Sequence, residues 1–153
     1  MHYLEISGMN GLNNVKKKVD EMMALDFLIG NVDRHKGNFG IIRNSDTLQW
    51  LTTAPLFDNG NCLFFDREND DMDNWGIDTL GKAFGDSNRL NLQKISFPNI
   101  FNSINIKKII EIIDDTLQRN ERLTAERIDK VICVVKERYD IACKIFSGSN
   151  NKA

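Results

Sequence analysis

The sequence predicts a mainly α-helical fold that contains one small β-hairpin. Three segments, at residues 12–29, 106–117 and 128–142, have apolar residues spaced mostly three or four positions apart, which is the stripe of an amphipathic helix. Two short β-prone runs, 39–42 and 48–51, flank a turn-forming segment that contains Asn44, Ser45 and Asp46. The helical stripes cover far more of the chain than the two strand signals.

The first predicted helix is followed by a polar loop. Its stripe is expected to end near Gly30 and Asn31, because both residues tolerate the left-handed conformation that closes helices. Asp33 then lies in a loop directly after a rigid element, while the three lysines at 16–18 lie on the solvated face. Asp26 precedes the helix end by one turn. It is either a structural acid that hydrogen-bonds this loop or an ordinary exposed acid.

The hairpin brings two distant polar residues together. Asn38 stands just before the first strand and Asp58 just after the second, so both lie at the open end of the hairpin. The alternative is that each side chain hydrogen-bonds its own turn. Their joint spacing behind Asp33 favours one shared site.

Three of these residues suit phosphoryl transfer from a magnesium nucleotide. Asp33 can accept the proton of an attacking hydroxyl, and Asn38 and Asp58 can hold Mg²⁺ or Mn²⁺ with the help of phosphate oxygens and water. His35 is a lone loop histidine with no second ligand at a zinc spacing. It either braces its own loop, or contacts the transferred phosphate or Asp33.

The motifs resemble those of a known family. The run Asp33-Arg34-His35-Lys36-Gly37-Asn38 resembles the catalytic loop of the phosphatidylinositol kinase-like clan. With Phe39-Gly40 and the run 55–60 (PLFDNG), the context resembles the bacterial HipA-like serine/threonine kinases, most strongly over residues 22–62. The resemblance implies a kinase-like C-terminal lobe that uses ATP.

The same resemblance implies a role for each site residue. Asp33 is the catalytic base, Asn38 is a metal ligand, and Asp58 is the counterpart of the aspartate in the kinase Asp-Phe-Gly motif. It also favours the catalytic alternative for His35. Residues 75–84 occupy the position of the activation segment, where a substrate is expected to bind.

One departure from the family concerns the N-terminal lobe. Only 32 residues precede Asp33, and they contain neither a glycine-rich phosphate loop nor a lysine in an apolar strand. The N-terminal lobe is therefore expected to be absent. The predicted organisation is a lead-in at 1–11, the kinase-like C-terminal lobe at 12–146 and a polar tail at 147–153.

Composition and charge limit the classes of protein to which the chain can belong. The 153 residues, 41% of them hydrophobic, suit one domain, and a net charge of −2 gives no reason to expect direct nucleic-acid binding. No apolar stretch approaches the ~20 residues of a membrane span, so a cytoplasmic location is expected. Cys62, Cys133 and Cys143 show no metal-binding spacing, and the last two are expected to be small buried residues of a helix. The acidic loop at 66–74 lacks the glycine and glutamate of a calcium loop.

The expected function is ATP- and Mg²⁺-dependent phosphorylation of a protein serine or threonine, with the chain inactive by itself. The expected partners are an N-terminal lobe or a partner chain, and a protein substrate. The alternative is a catalytically silent binding or regulatory module of a toxin–antitoxin type system. A metal-dependent phosphate hydrolase is a third possibility, but no second base or further clustered ligand supports it.

Overall fold

A computed structural model describes residues 12, 14–72, 77–78, 82, 85–97 and 99–149. It contains five helices and two strands in these residues, together with one 3₁₀ turn at Asn69–Asp71. In chain order they are α1 Val15–Ile29, β1 Ile41–Arg43, β2 Trp50–Thr53, α2 Asn88–Gln93, α3 Ile100–Ser103, α4 Ile106–Leu117 and α5 Ala125–Ser149. A mainly helical fold with one antiparallel hairpin is confirmed. The predicted lead-in at 1–11 lies outside the described residues.

Helix α1 is the central element of the core. It packs against α2, α3 and α5, and its apolar side chains Met23, Phe27 and Leu28 are buried with Leu92 and Phe101. The three lysines at 16–18 are exposed, as the stripe predicts. The Asn31 N–H donates to the Asp26 carbonyl (2.9 Å) and closes the helix. The polar loop therefore starts from a fixed point.

Gly30 ends α1 in the left-handed conformation, with φ of 67°. A Cβ atom at this position would lie 2.8 Å from Cε1 of Phe64. Glycine is required here both by the backbone conformation and by the close approach of the ring.

Helices α4 and α5 pack against each other and enclose a second apolar cluster that includes Phe64, Ile113 and Val135. Each of these two helices is preceded by a residue type that favours the N-cap position. Asn105 Oδ1 accepts from the Lys108 N–H (3.1 Å), and Thr124 Oγ1 accepts from the Arg127 N–H (3.2 Å). Helix α5 continues to Ser149, into the segment predicted as a polar tail.

The hairpin lies about two residues further along the chain than predicted. Its register pairs Ile41 with Thr53 and Arg43 with Trp50, with an irregularity between Ile42 and Arg43. One further bond, from the Ala54 N–H to the Gly40 carbonyl (2.8 Å), extends the pairing. Several large apolar side chains of the hairpin and the segment after it are exposed: Ile42, Leu48, Leu51 and Phe57.

The expectation for Cys133 is wrong, because its side chain is exposed, and Cys143 is only partly buried. Cys133 follows Ile132 on α5 and lies beside the buried stripe, so it faces solvent and contacts Glu137. None of the described helices has the length and hydropathy that a membrane crossing requires.

Candidate active site

Asp33 lies four residues beyond Ile29, the last residue of α1, and both its backbone and its side chain have hydrogen-bond or ion-pair partners. Its N–H donates to Asn31 Oδ1 (3.0 Å), and its carbonyl accepts from Asn38 Nδ2 (3.3 Å). The carboxylate has a partner on each oxygen, with the Lys82 ammonium paired to Oδ1 and the Asn61 amide donating to Oδ2. The Asn61 amide and the Lys82 ion pair therefore orient this carboxylate.

These partners also favour the charged form of Asp33. The Lys82 ammonium holds the pKa of the carboxyl below its ordinary value against the opposing effect of burial, and Asn61 and His35 add smaller contributions. At neutral pH the carboxylate is ionised and can accept a proton.

The Arg34 side chain connects the segments that form the site. Its side chain is buried, and it forms a bidentate pair with Asp26, from Nε to Oδ2 (3.0 Å) and from Nη2 to Oδ1 (2.8 Å). Nη1 donates to the carbonyls of Asn38 (3.1 Å) and Phe57 (2.7 Å), and Nη2 donates also to Asn59 Oδ1. One guanidinium thus joins the helix, the polar loop and the segment that carries Asp58.

Asp26 is the structural acid of the two alternatives that the sequence left open. It is buried and accepts from Asn31 Nδ2 (3.0 Å) as well as from Arg34. Burial raises the pKa of this carboxyl, while Arg34 and Asn31 lower it. The exposed-acid alternative is wrong.

Asn38 and Asp58 are placed differently within the site. Asn38 is buried and Asp58 is exposed with φ of 55°, but the carbonyls of Asn38 and of Phe57, the residue before Asp58, share one nitrogen of Arg34. The two segments are therefore neighbours. Asn38 Nδ2 is used by the Asp33 carbonyl, so Oδ1 is the atom of this amide that can bind a cation.

The donor set suits a weakly held hard cation. One carboxylate and one amide oxygen are ligands that Mg²⁺ accepts, with phosphate oxygens and water completing its shell. No group of three or more His, Cys, Asp and Glu side chains within the described ranges is arranged to hold a metal ion. A protein-only metal cage is therefore not part of the described structure.

His35 braces its own loop. Its side chain is exposed, its Nδ1 accepts from the Gly37 N–H (3.1 Å), and its carbonyl accepts from the Asn38 N–H (2.9 Å). The described contacts are those of a turn. Contact with a phosphate stays a prediction.

Sequence reasoning gave no role to Arg34, Asn61 or Lys82. Asn61 and Lys82 reach Asp33 because the segments that carry them bond to the loop, from the Leu63 N–H to the Ile29 carbonyl (2.7 Å) and from the Lys82 N–H to the Val32 carbonyl (3.3 Å). Apolar periodicity carries no signal for such contacts. The one available signal for Lys82 is its place in the segment 75–84, where a substrate was expected.

A cleft of about 170 Å³ opens beside Asp33. The side chains that line it include Asp33, Asn61, Phe65, Asp66 and Lys82. A larger apolar cleft of about 550 Å³ between α1 and α3 is lined by none of the motif residues. The smaller cleft is therefore the candidate active site, because Asp33 lines it.

Comparison with known proteins gives a partial relationship. No family model matches the chain. It is 36% identical over 90 residues to the serine/threonine-protein kinase CtkA of Helicobacter pylori strain J99, and the matched region is 58% of this chain and 25% of that protein. The crystal structure of a Helicobacter pylori proinflammatory kinase, CtkA, matches with a TM-score of 0.58 and 23% identity, over 89% of this chain and 57% of that chain.

The chain thus spans only part of the kinase that it matches. The sequence match shows homology over 58% of the chain, and the structural match shows the shared fold. Over that part of its length, the chain is homologous to a serine/threonine-protein kinase and has a kinase-like fold.

Proposed function

We propose that the chain is the C-terminal lobe of a HipA-like kinase, which transfers the γ-phosphoryl group of ATP to a serine or threonine hydroxyl of a protein. The observation that carries this proposal is the Asp33 carboxylate, which lies beside a cleft with Lys82 paired to one oxygen and Asn61 donating to the other. The homology to a serine/threonine kinase supports the same chemistry.

In the proposed reaction, Asp33 orients the acceptor hydroxyl and takes its proton. The hydroxyl oxygen forms a bond to the γ-phosphorus, the bond from that phosphorus to the β–γ bridging oxygen breaks, and ADP leaves. Asn38 Oδ1 and the Asp58 carboxylate would hold Mg²⁺, which supplies charge neutralisation at the phosphates. Arg34 keeps these two ligand segments together.

The chain alone is expected to be inactive. The phosphate loop and lysine of a complete kinase stabilise charge on the transferred group, and the sequence holds neither. The exposed side chains of Ile42 and Leu51 in the hairpin, and of Phe57 after it, support a docking surface for an N-terminal lobe. The partner is then either a lobe of the same protein or a separate chain.

Radiolabelled ATP tests the proposal. The chain alone should label no protein acceptor, and the chain joined to the N-terminal lobe of the Helicobacter pylori kinase should label serine or threonine. The matched Asp33→Asn fusion should not. Turnover by the isolated chain that Asp33→Asn abolishes would show that no second lobe is needed.

Paramagnetic NMR tests whether Asn38 and Asp58 bind a metal ion. Mn²⁺ should broaden the NMR signals of Asn38 and Asp58 at millimolar concentrations, with tighter binding when ATP is present. Asp58→Ala should abolish this broadening, while Asp33→Ala should leave it nearly intact. Signals of both residues that stay sharp at saturating metal would reject the phosphoryl-transfer role of the pair.

The same exposed hairpin side chains favour a second candidate, a catalytically silent regulatory module of a toxin–antitoxin type system. Such a module would bind its partner through the hairpin without needing Asp33. A fusion that stays inactive, together with partner binding that survives Asp33→Asn and fails in Leu51→Asp, would favour this candidate over the kinase.

A further inference from the structure

Arg138 is a buried cation in the middle of α5. Its side chain is among the most buried in the described chain, with a relative exposure of 1%. The guanidinium carbon lies 5.4 Å from the ring centroid of Phe27 and 5.2 Å from that of Phe64, between the two aromatic side chains. Nη1 donates to the Phe27 carbonyl.

The rest of this guanidinium is poorly satisfied. Nε and Nη2 are buried, and neither has a hydrogen-bond partner within the part of the chain that the structure describes. Burial lowers the pKa of Arg138 to about 10. No described acidic side chain pairs with it, and a buried charge without such a partner costs stability, although cation–π contacts offset part of that cost. Stability alone therefore does not explain an arginine here.

The two rings belong to the two sides of the candidate site. Phe27 lies in the last turn of α1, from which the loop to Asp33 departs. Phe64 follows the segment that carries Asp58 and Asn61, and its ring closes against Gly30. The Leu63 N–H donates to the Ile29 carbonyl at the same place (2.7 Å). The guanidinium thus fills the space between the helix end and the later segment.

We propose that Arg138 is a positioning residue, which sets the separation between the loop of Asp33 and the segment of Asn61. It acts through the Phe27 carbonyl and the Phe64 ring and does not touch the reacting atoms. Calling the loop a transfer site rests on the proposed function, whereas the coupling between Arg138 and the loop does not.

Backbone NMR of the whole chain tests this coupling. Arg138→Met removes the charge and the donor but keeps an unbranched side chain, and Lys136→Met is the control, because it makes the matching change at an exposed position of the same helix. The amide signals of Gly30, Asp33 and Asn61 should move in Arg138→Met and stay in place in Lys136→Met. Arg138→Lys, which keeps charge and a donor, should restore part of the shift.

Each outcome decides the proposal. Unchanged site signals in Arg138→Met, or equal shifts in Lys136→Met, would overturn it. If Arg138→Met does not fold, Arg138→Gln, which keeps an amide donor but no charge, takes its place, and site signals identical to those of the unaltered chain would then assign Arg138 to core stability alone. Site shifts confined to the Arg138 variants would support positioning even if the fusion enzyme proves inactive, so the two proposals fail separately.

Discussion

The Arg34 guanidinium and the Asp26 carboxylate form a buried bidentate ion pair, with the two side chains 3% and 7% exposed. Two parallel N–H···O bonds fix the planes of both groups, which is the geometry in which arginine recognises a carboxylate best. Asp26 is anchored in α1, so the pair fixes Arg34 relative to a helix. The remaining donors of Arg34 then hold Asn38 and the Phe57 segment in place.

Replacing Asp26 should strongly lower the free energy of unfolding. Asp26→Ala leaves the Arg34 charge buried and unpaired, which costs about 3–5 kcal/mol in the free energy of unfolding. Urea denaturation measures it. Glu21→Ala, which breaks an exposed pair with Lys18 (2.7 Å) on the same helix, is the control and should cost less than about 1 kcal/mol. Equal decreases in the free energy of unfolding in the two variants would show that the buried pair stabilises the fold no more than the exposed pair does.

Gly30 should not tolerate a side chain. Gly30→Ala imposes a left-handed conformation on a non-glycine residue, which costs roughly 1–2 kcal/mol. It also forces the Phe64 ring to move, because the new Cβ would lie 2.8 Å from it. Thermal unfolding gives the loss. Gly40→Ala is the control, since a Cβ there meets nothing within 4 Å. A melting temperature that falls no further in Gly30→Ala than in Gly40→Ala would contradict this assignment.

Asp20 should make stability depend on pH. Its buried carboxylate accepts from the N–H groups of Ser96 (2.9 Å) and Phe97 (3.2 Å), and burial raises its pKa against these bonds. The native state then binds a proton at a higher pH than the unfolded chain. The contribution of Asp20 to the free energy of unfolding therefore falls as pH rises through the folded pKa.

The comparison variant is Asp20→Asn, which cannot titrate. The unfolding free energy of the unaltered chain, minus that of the variant, should increase as the pH is lowered from about 7 to about 4. Urea titrations at several pH values give this difference. A difference that shrinks on acidification would mean that the carboxylate is stabilised, and not penalised, by its surroundings.

Lys82 should control the charge of Asp33. Lys82→Met removes the main cause that lowers the pKa of Asp33, so the carboxyl should titrate at a higher pH than in the unaltered chain. Carboxyl ¹³C NMR reports this titration directly. Lys36→Met removes an exposed lysine from the same loop and should leave the Asp33 titration unchanged.

Because the Lys82 side chain is 64% exposed, salt should weaken its effect on Asp33. The difference between Lys82→Met and the unaltered chain should therefore narrow in high salt. A titration of Asp33 that is identical in both proteins at low salt would show that this ion pair does not govern the carboxylate.

The sequence by itself determined the features that rest on local pattern. The stripes of α1, α4 and α5 follow from a period of 3.6 residues, and the caps at Asn105 and Thr124 follow from side chains that reach an N–H three residues on. The end of α1 at Gly30 follows from backbone freedom. Each of these depends on neighbours within one helical turn, which a sequence displays directly.

Tertiary structure alone decided which side chains meet across the chain. The sequence left Asp26 open between two roles, and the structure chose burial because Arg34, eight positions later, folds back on it. Asn61 and Lys82 reach Asp33, and Arg138 reaches Phe27 from α5, through packing that no local period encodes. Cys133 was misplaced for a different reason: it lies beside the buried stripe of α5, so the helical period itself turns its side chain toward solvent and Glu137.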